Sequence, residues 1–175
     1  MRKYGVAVLA VVSLFAAVLS QSAAGDAKEE AVAKDLLAFK GTWRMNSKEV
    51  DGKKFSEEEI KDVIATTDGS GRCWVRRGDK LIGEGTAKFD PMTKPKTIDI
   101  TFTEGEHKGK TVLGIYEFEG DTFRVCITRP DRDGRPTEFS AKAGSGCTLV
   151  VYKRRGSKRI ANVFFGESEG GETQG

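Results

Sequence analysis

The stretch LGIYEFEGDTFRVCI, residues 113–127, sets two alternating apolar runs on either side of Glu119-Gly-Asp-Thr122. With Gly120-Asp121 as the tip of a tight hairpin, Phe118 opposes Phe123, Tyr116 opposes Val125 and Gly114 opposes Ile127. All six share one face, because successive side chains of a strand point to opposite sides. The other face carries Glu117 opposite Arg124 and Ile115 opposite Cys126. One face is strongly apolar and the other is mixed. Such a hairpin must bury its apolar face against something.

The rest of the chain repeats the pattern. Ile98, Ile100 and Phe102 alternate with Asp99, Thr101 and Thr103. Runs bounded by Gly, Pro and Asp predict eight strands: Thr42–Val50, Gly71–Arg77, Leu81–Phe89, Thr97–Thr103, Thr111–Glu119, Thr122–Thr128, Thr137–Ala141 and Thr148–Arg154. Eight strands with one apolar face each leave exposed edges unless the sheet closes. An eight-stranded antiparallel up-and-down barrel solves that best, giving a mainly β fold. Two helices accompany it. Asp26 to Glu29 open a short N-terminal helix in which Val32, Leu36 and Phe39 fall at helical spacing, ended by Gly41. Ser56 and Glu59 form a capping box, flanked by Phe55 and Ile60 as a hydrophobic staple, so a second short helix follows the first strand.

The ends of the chain carry other information. Arg2-Lys3 precede an apolar run, residues 5–20, and Ser22-Ala23-Ala24 supplies small residues for a cleavage site. The pattern is that of a secretory signal peptide over residues 1–24. The apolar run is shorter than the ~20 residues of a membrane-spanning helix, so no stable membrane span remains after cleavage. The predicted organisation is a signal peptide over 1–24, a helix over 25–40 and a barrel domain over 41–155. A tail over 156–175 follows, with an apolar cluster at Ile160, Val163, Phe164 and Phe165 and a disordered acidic, Gly-rich end. Cleavage removes two basic residues, leaving 27 Lys+Arg against 26 Asp+Glu, a net charge of +1. That balance argues against nucleic acid as a partner.

Phe39-Lys-Gly41-Thr42-Trp43, after a helix and opening the first strand, resembles the G-x-W entry motif of lipocalin and calycin barrels. In those barrels the tryptophan closes the base beside a basic residue of the last strand, a place open here to Lys153 or Arg154. The segments LLAFKGTW, EVDGKKFSEEEI, KPKTIDITFTEGEHKGKTVLGIYEFEGDTFRVC and RPTEFSAKAGSGCTLVVYKR resemble a family of exported lipocalin-like domains expanded in planctomycete bacteria. The resemblance spans roughly residues 36–155 and implies fold and export. It supplies no catalytic or binding residues.

No catalytic set emerges from the residues. His107, the single histidine, lies in the polar loop Glu104–Gly109, where nothing converges on it as a triad requires. A three-His metal site is excluded by count, and Asp131-Arg-Asp133-Gly134 reads as a turn rather than a calcium loop. Gly69-Ser-Gly71 and Gly144-Ser-Gly146 lack the strand-to-helix setting of a phosphate cradle. No cofactor is implied, and the expectation is a non-enzyme. Three cysteines are present. With Thr137–Ala141 lying between the strands of Cys126 and Cys147, two strand spacings set these residues ~9–10 Å apart, too far for a disulfide. An irregular seventh strand would remove that obstacle. Unpaired, mostly buried thiols are expected.

Two functional readings follow. An eight-stranded barrel is wide enough for one small ligand or for its own side chains. In the first reading it holds a small apolar or amphipathic ligand. Trp43, Met45, Phe102, Tyr116, Phe118, Phe123 and Val125 are the candidate lining, with Phe89, Ile98, Ile100, Ile127 and Phe139 around them. Gly83, Gly85, Ala87 and Gly114 would leave room, and Tyr116 would orient the ligand. In the second, the barrel is a filled scaffold that engages an envelope protein, and Leu113, Ile115 and Cys126 need a cover from the chain's own helix or tail or from a partner. Export to the periplasm or beyond is common to both. N-terminal sequencing of the exported fraction should begin within a few residues of Gly25, and an intact Met1 in a membrane fraction would refute cleavage.

Overall fold

A computed structural model describes residues 25–156. The expected signal peptide over 1–24 and the apolar cluster of the tail lie outside the described residues. Helix α1 (25–39) leads into β1 (Gly41–Val50), followed by the two-residue β2 (Lys53–Lys54) and the single-turn α2 (Glu57–Ile60). Seven strands complete the chain: β3 (Val63–Thr67), β4 (Arg72–Arg77), β5 (Lys80–Asp90), β6 (Thr97–Glu104), β7 (Thr111–Glu119), β8 (Thr122–Thr128) and β9 (Cys147–Arg154). Each strand from β3 to β9 pairs antiparallel with the next, β3 also pairs β1, and β9 returns to β1. The result is a closed eight-stranded antiparallel up-and-down barrel, with β2 a short appendage on β1.

The hairpin register is the expected one. Gly114 pairs Ile127, Tyr116 pairs Val125, and Phe118 pairs Phe123, while Ile115 pairs Cys126 on the outside. Gly120 takes the positive φ (54°) that a two-residue turn demands of its first central residue. On the outer face, Glu117 and Arg124 form an ion pair at 2.6 Å.

One expected strand is replaced by another. Thr137–Ala141 is not a strand but part of an irregular connection, residues 129–146, that straps across the outside of the sheet. The missing barrel member is β3, whose sequence Val-Ile-Ala-Thr-Thr is rich in the β-branched residues that suit a strand. The strap is held by specific bonds. Arg135 donates to the carbonyls of Ile98 (3.0 Å) and Gly114 (2.6 Å) and to Asp99 (2.6 Å), and the Cys126 thiol donates to the Ser140 carbonyl at 3.3 Å. Ile115 and Cys126 are 1% and 0% exposed. The cover that the outer apolar face requires is therefore this strap.

With no strand between them, β8 and β9 pair directly and Thr128 opposes Cys147. The separation expected for Cys126 and Cys147 is thereby corrected. They are diagonal neighbours on the outer face, and all three cysteines are free thiols.

Helix α1 closes one end of the barrel. Its buried stripe is Val32, Asp35, Leu36 and Phe39, the i, i+3, i+4, i+7 pattern of one helix face. Phe39 enters the barrel and packs against Phe89 and Phe123, with ring centroids 5.1 and 5.2 Å apart. Trp43, fully buried, donates its indole N–H to the Phe39 carbonyl at 2.8 Å, and the Thr67 hydroxyl donates to the same oxygen. Arg154, not Lys153, fills the place beside the tryptophan. Its guanidinium lies 4.1 Å from the Trp43 ring centroid and donates to the carbonyls of Ala38 (2.6 Å) and Lys40 (2.7 Å). A cation there satisfies orphan carbonyls of the helix C-terminus and opposes its dipole.

The opposite end is shaped by α2. Beyond Arg44, β1 leaves β3 and pairs with β9 and, at Glu49 and Val50, with β2. Ile60, buried, and Phe55 pack against the core where the two strands part. The capping box is formed in full, with Ser56 and Glu59 bonding reciprocally.

Phe123 is the hub of the interior, 4% exposed and within aromatic range of Phe39, Trp43, Tyr116, Phe118 and Tyr152. Phe123→Ala should destabilise the protein by about 3–5 kcal/mol, the usual cost of emptying a buried aromatic site. Chemical denaturation measures it, and a near-neutral result would contradict this core.

Candidate ligand cavity

Inside the barrel lies a cavity of about 140 Å³. Trp43, Phe102, Phe123 and Val125 line it, as do Ile100 and Ile127. The other three expected lining residues do not. Met45 is buried in the core and Phe118 stacks on Phe123 at 4.9 Å, both away from the void. Phe139 lies on the strap outside the barrel, with the Arg124 guanidinium 4.2 Å from its ring centroid. The lining also includes Phe39, Ala65, Cys73, Val75, Val150 and Tyr152. Ala65 and Val75 belong to the strand not anticipated and to its neighbour, and Tyr152 follows the alternation of the last strand.

Tyr116 has a different task from the one expected. Its hydroxyl donates to the Asp35 carboxylate at 2.5 Å, and Lys96 donates to the same carboxylate at 2.7 Å. Asp35 is 6% exposed, so a carboxylate on the plugging helix is buried but fully engaged. Burial first, and then the bond to Asp35 and its charge, push the Tyr116 phenol far above its ordinary pKa. Tyr116 therefore fastens α1 into the barrel and has no free hydroxyl to offer a ligand. The glycine beside it leaves no room either. A Cβ at Gly114 would come within 2.7 Å of the Ile127 side chain, so Gly114 serves close packing. At Gly85 the same atom would meet the Thr101 carbonyl at 2.7 Å, while Gly83 faces open space.

The cavity's own phenol is Tyr152. Its ring stacks on Phe123 at 6.2 Å, and its hydroxyl has no hydrogen-bond partner among the described residues. Burial, and then the nearby Cys73, raise its pKa strongly. Tyr152 is half-buried and borders the void. Burial likewise pushes the Cys73 thiol up to about 11. Both groups stay protonated at neutral pH, as hydrogen-bond donors in otherwise apolar walls.

Neighbouring features carry no comparable site. Burial, with the adjacent Cys147 thiol as second cause, pushes Cys126 up to about 11, which makes it a poor nucleophile. His107 lies in its loop, half-buried with its ring 5.6 Å from that of Phe102. Among the described residues, no three His, Cys, Asp or Glu side chains converge as a metal site would need.

The architecture is that of a lipocalin-like scaffold: a closed barrel entered through G-x-W, a helix at one end, and a basic residue on the tryptophan. Comparison of the chain with protein-family models, curated proteins and solved structures finds no match.

Tyr116→Phe would leave the Asp35 carboxylate with Lys96 alone. A loss of about 1.5–3 kcal/mol is expected, as for a hydrogen bond to a charged group. Urea denaturation reads it. The same variant should bind cavity probes as the parent does, and a selective loss of binding would return Tyr116 to the site.

Proposed function

We propose that the chain is an exported member of a lipocalin-like domain family that binds one small apolar ligand inside its barrel and catalyses no reaction. One observation carries the reading. An apolar cavity borders Tyr152, half-buried, whose hydroxyl has no protein partner among the described residues. A phenol among apolar walls has a donor to offer, and a ligand with one acceptor would engage it. Size restricts the ligand. Drug-sized sites run from about 300 Å³ upward, whereas a dry cavity of about 150 Å³ holds benzene. The void of about 140 Å³ thus suits a body of benzene size rather than a long lipid chain. The non-catalytic part is supported by burial, which holds both Tyr152 and Cys73 in their protonated forms.

The scaffold reading loses its main motive, since the apolar outer face at Ile115 and Cys126 is covered by the chain's own strap. Titration of folded protein with toluene and p-cresol, followed by thermal shift and Trp43 fluorescence, separates the readings. Both probes should bind, p-cresol about five-fold better through one neutral hydrogen bond to Tyr152. Tyr152→Phe should abolish that preference with little loss of stability, and Ala65→Leu should block both probes. Absence of binding across a panel of small aromatics would defeat the proposal in favour of a scaffold.

A further inference from the structure

Two cations of the barrel's inner face, Lys48 and Arg77, stand toward the α2 end. A bulge between Met45 and Ser47 shifts the alternation of β1, so that Lys48 pairs with Val150. Val150 lines the cavity, and residues directly opposite each other share a face, so Lys48 stands on the inner side, one layer outward. Arg77 pairs with Val63, a buried core residue, and so also belongs to the inner face, at its exposed rim. Between β1 and the rim, Phe55 carries Lys48 on one ring contact (4.8 Å) and Lys53 on another (5.3 Å). Neither Lys48 nor Arg77 forms a salt bridge or side-chain hydrogen bond among the described residues.

Of the carboxylates on this side, Glu59 feels the charges of Lys53 and Arg77 but takes its hydrogen bonds from Ser56. Glu59 accepts from the Ser56 backbone and hydroxyl at 2.8 and 2.9 Å. Glu84 pairs with Arg72, and Glu104 pairs with Lys108, each at 2.7 Å. Burial, with the Arg77 charge as second cause, lowers the pKa of Lys48. An anion placed between the two cations relieves that repulsion, and in a half-buried setting the attraction exceeds that of a surface pair.

Resting on the cavity function proposed above, we infer that the ligand is a small organic acid, with its apolar body in the cavity and its carboxylate toward the α2 end, paired by Lys48 and Arg77. Two residues separate Val150, opposite Lys48, from Tyr152, a span of roughly 7 Å along an extended strand. A benzene-sized acid covers that span. A long-chain fatty acid exceeds the cavity and is not the occupant.

Benzoate and toluene, titrated against the folded chain at low ionic strength, test this directly. Benzoate should bind at least ten-fold more tightly than toluene, and the advantage should shrink in high salt as screening predicts. In Lys48→Gln/Arg77→Gln the two probes should bind equally, with toluene within two-fold of its parental affinity, which also shows that the variant is folded. Equal binding of both probes to the parent, or a benzoate preference that survives the double substitution, would overturn the inference and leave the cavity reading intact. If toluene and p-cresol also fail to bind the parent, the cavity reading falls and this inference with it.

Discussion

The guanidinium of Arg154 lying on Trp43 holds the rest of the molecule in place. Arg154 is the last residue of β9 and pairs with Trp43 on β1, so this contact marks the seam where the sheet closes. Its other donors take the last carbonyls of α1. A cation over an indole is worth about 0.5–2 kcal/mol by itself, increasing with desolvation. The geometric consequence is larger. One side chain couples barrel closure, helix termination and placement of Phe39 in the core. Gly41 belongs to the same arrangement, because a Cβ there would meet the Arg154 guanidinium at 2.9 Å.

The helix so anchored is locked a second time, by Asp35 with Tyr116 and Lys96. The lock sits in the buried stripe of α1, four residues before Phe39, and reaches β7 and the start of β6. Two independent fastenings make this end of the barrel a floor. The other end, where β1 parts from β3, lacks such a helix and is packed by Phe55 and Ile60.

Much of this was legible in the sequence. The alternation in residues 113–127 gave the hairpin register pair by pair, and Gly41-Thr-Trp43 announced the closed end. Strand β3 was hidden because only the two-residue turn Lys61-Asp62 separates its five residues from the capping-box helix, with no Gly or Pro to mark the boundary. Thr137–Ala141 passed for a strand because its composition resembles one, although Pro136 and the lack of alternation argue otherwise. The site was less legible, for two physical reasons. A bulge reverses alternation, so counting inward positions from Trp43 and Met45 points Lys48 outward, where it is not. A hydrogen-bond partner distant in sequence is also invisible to periodicity. Asp35 lies 81 residues from Tyr116, and without it Tyr116 looks like the free phenol that Tyr152 proves to be.

The size of the void bears on whether it is meant to be filled. At about 24 cal/mol per Å³, an empty space of about 140 Å³ costs roughly 3 kcal/mol of stability. Ala65 opposes Trp43 and borders the space, so a larger side chain at that one position would recover part of it. A pure scaffold gains nothing from leaving the space open. A binding protein does, because a ligand present at a hundred times its dissociation constant stabilises the fold by about 2.7 kcal/mol. The two magnitudes match. Under the proposed function an occupant would restore what the void costs, and the two cations and the phenol of Tyr152 would select it.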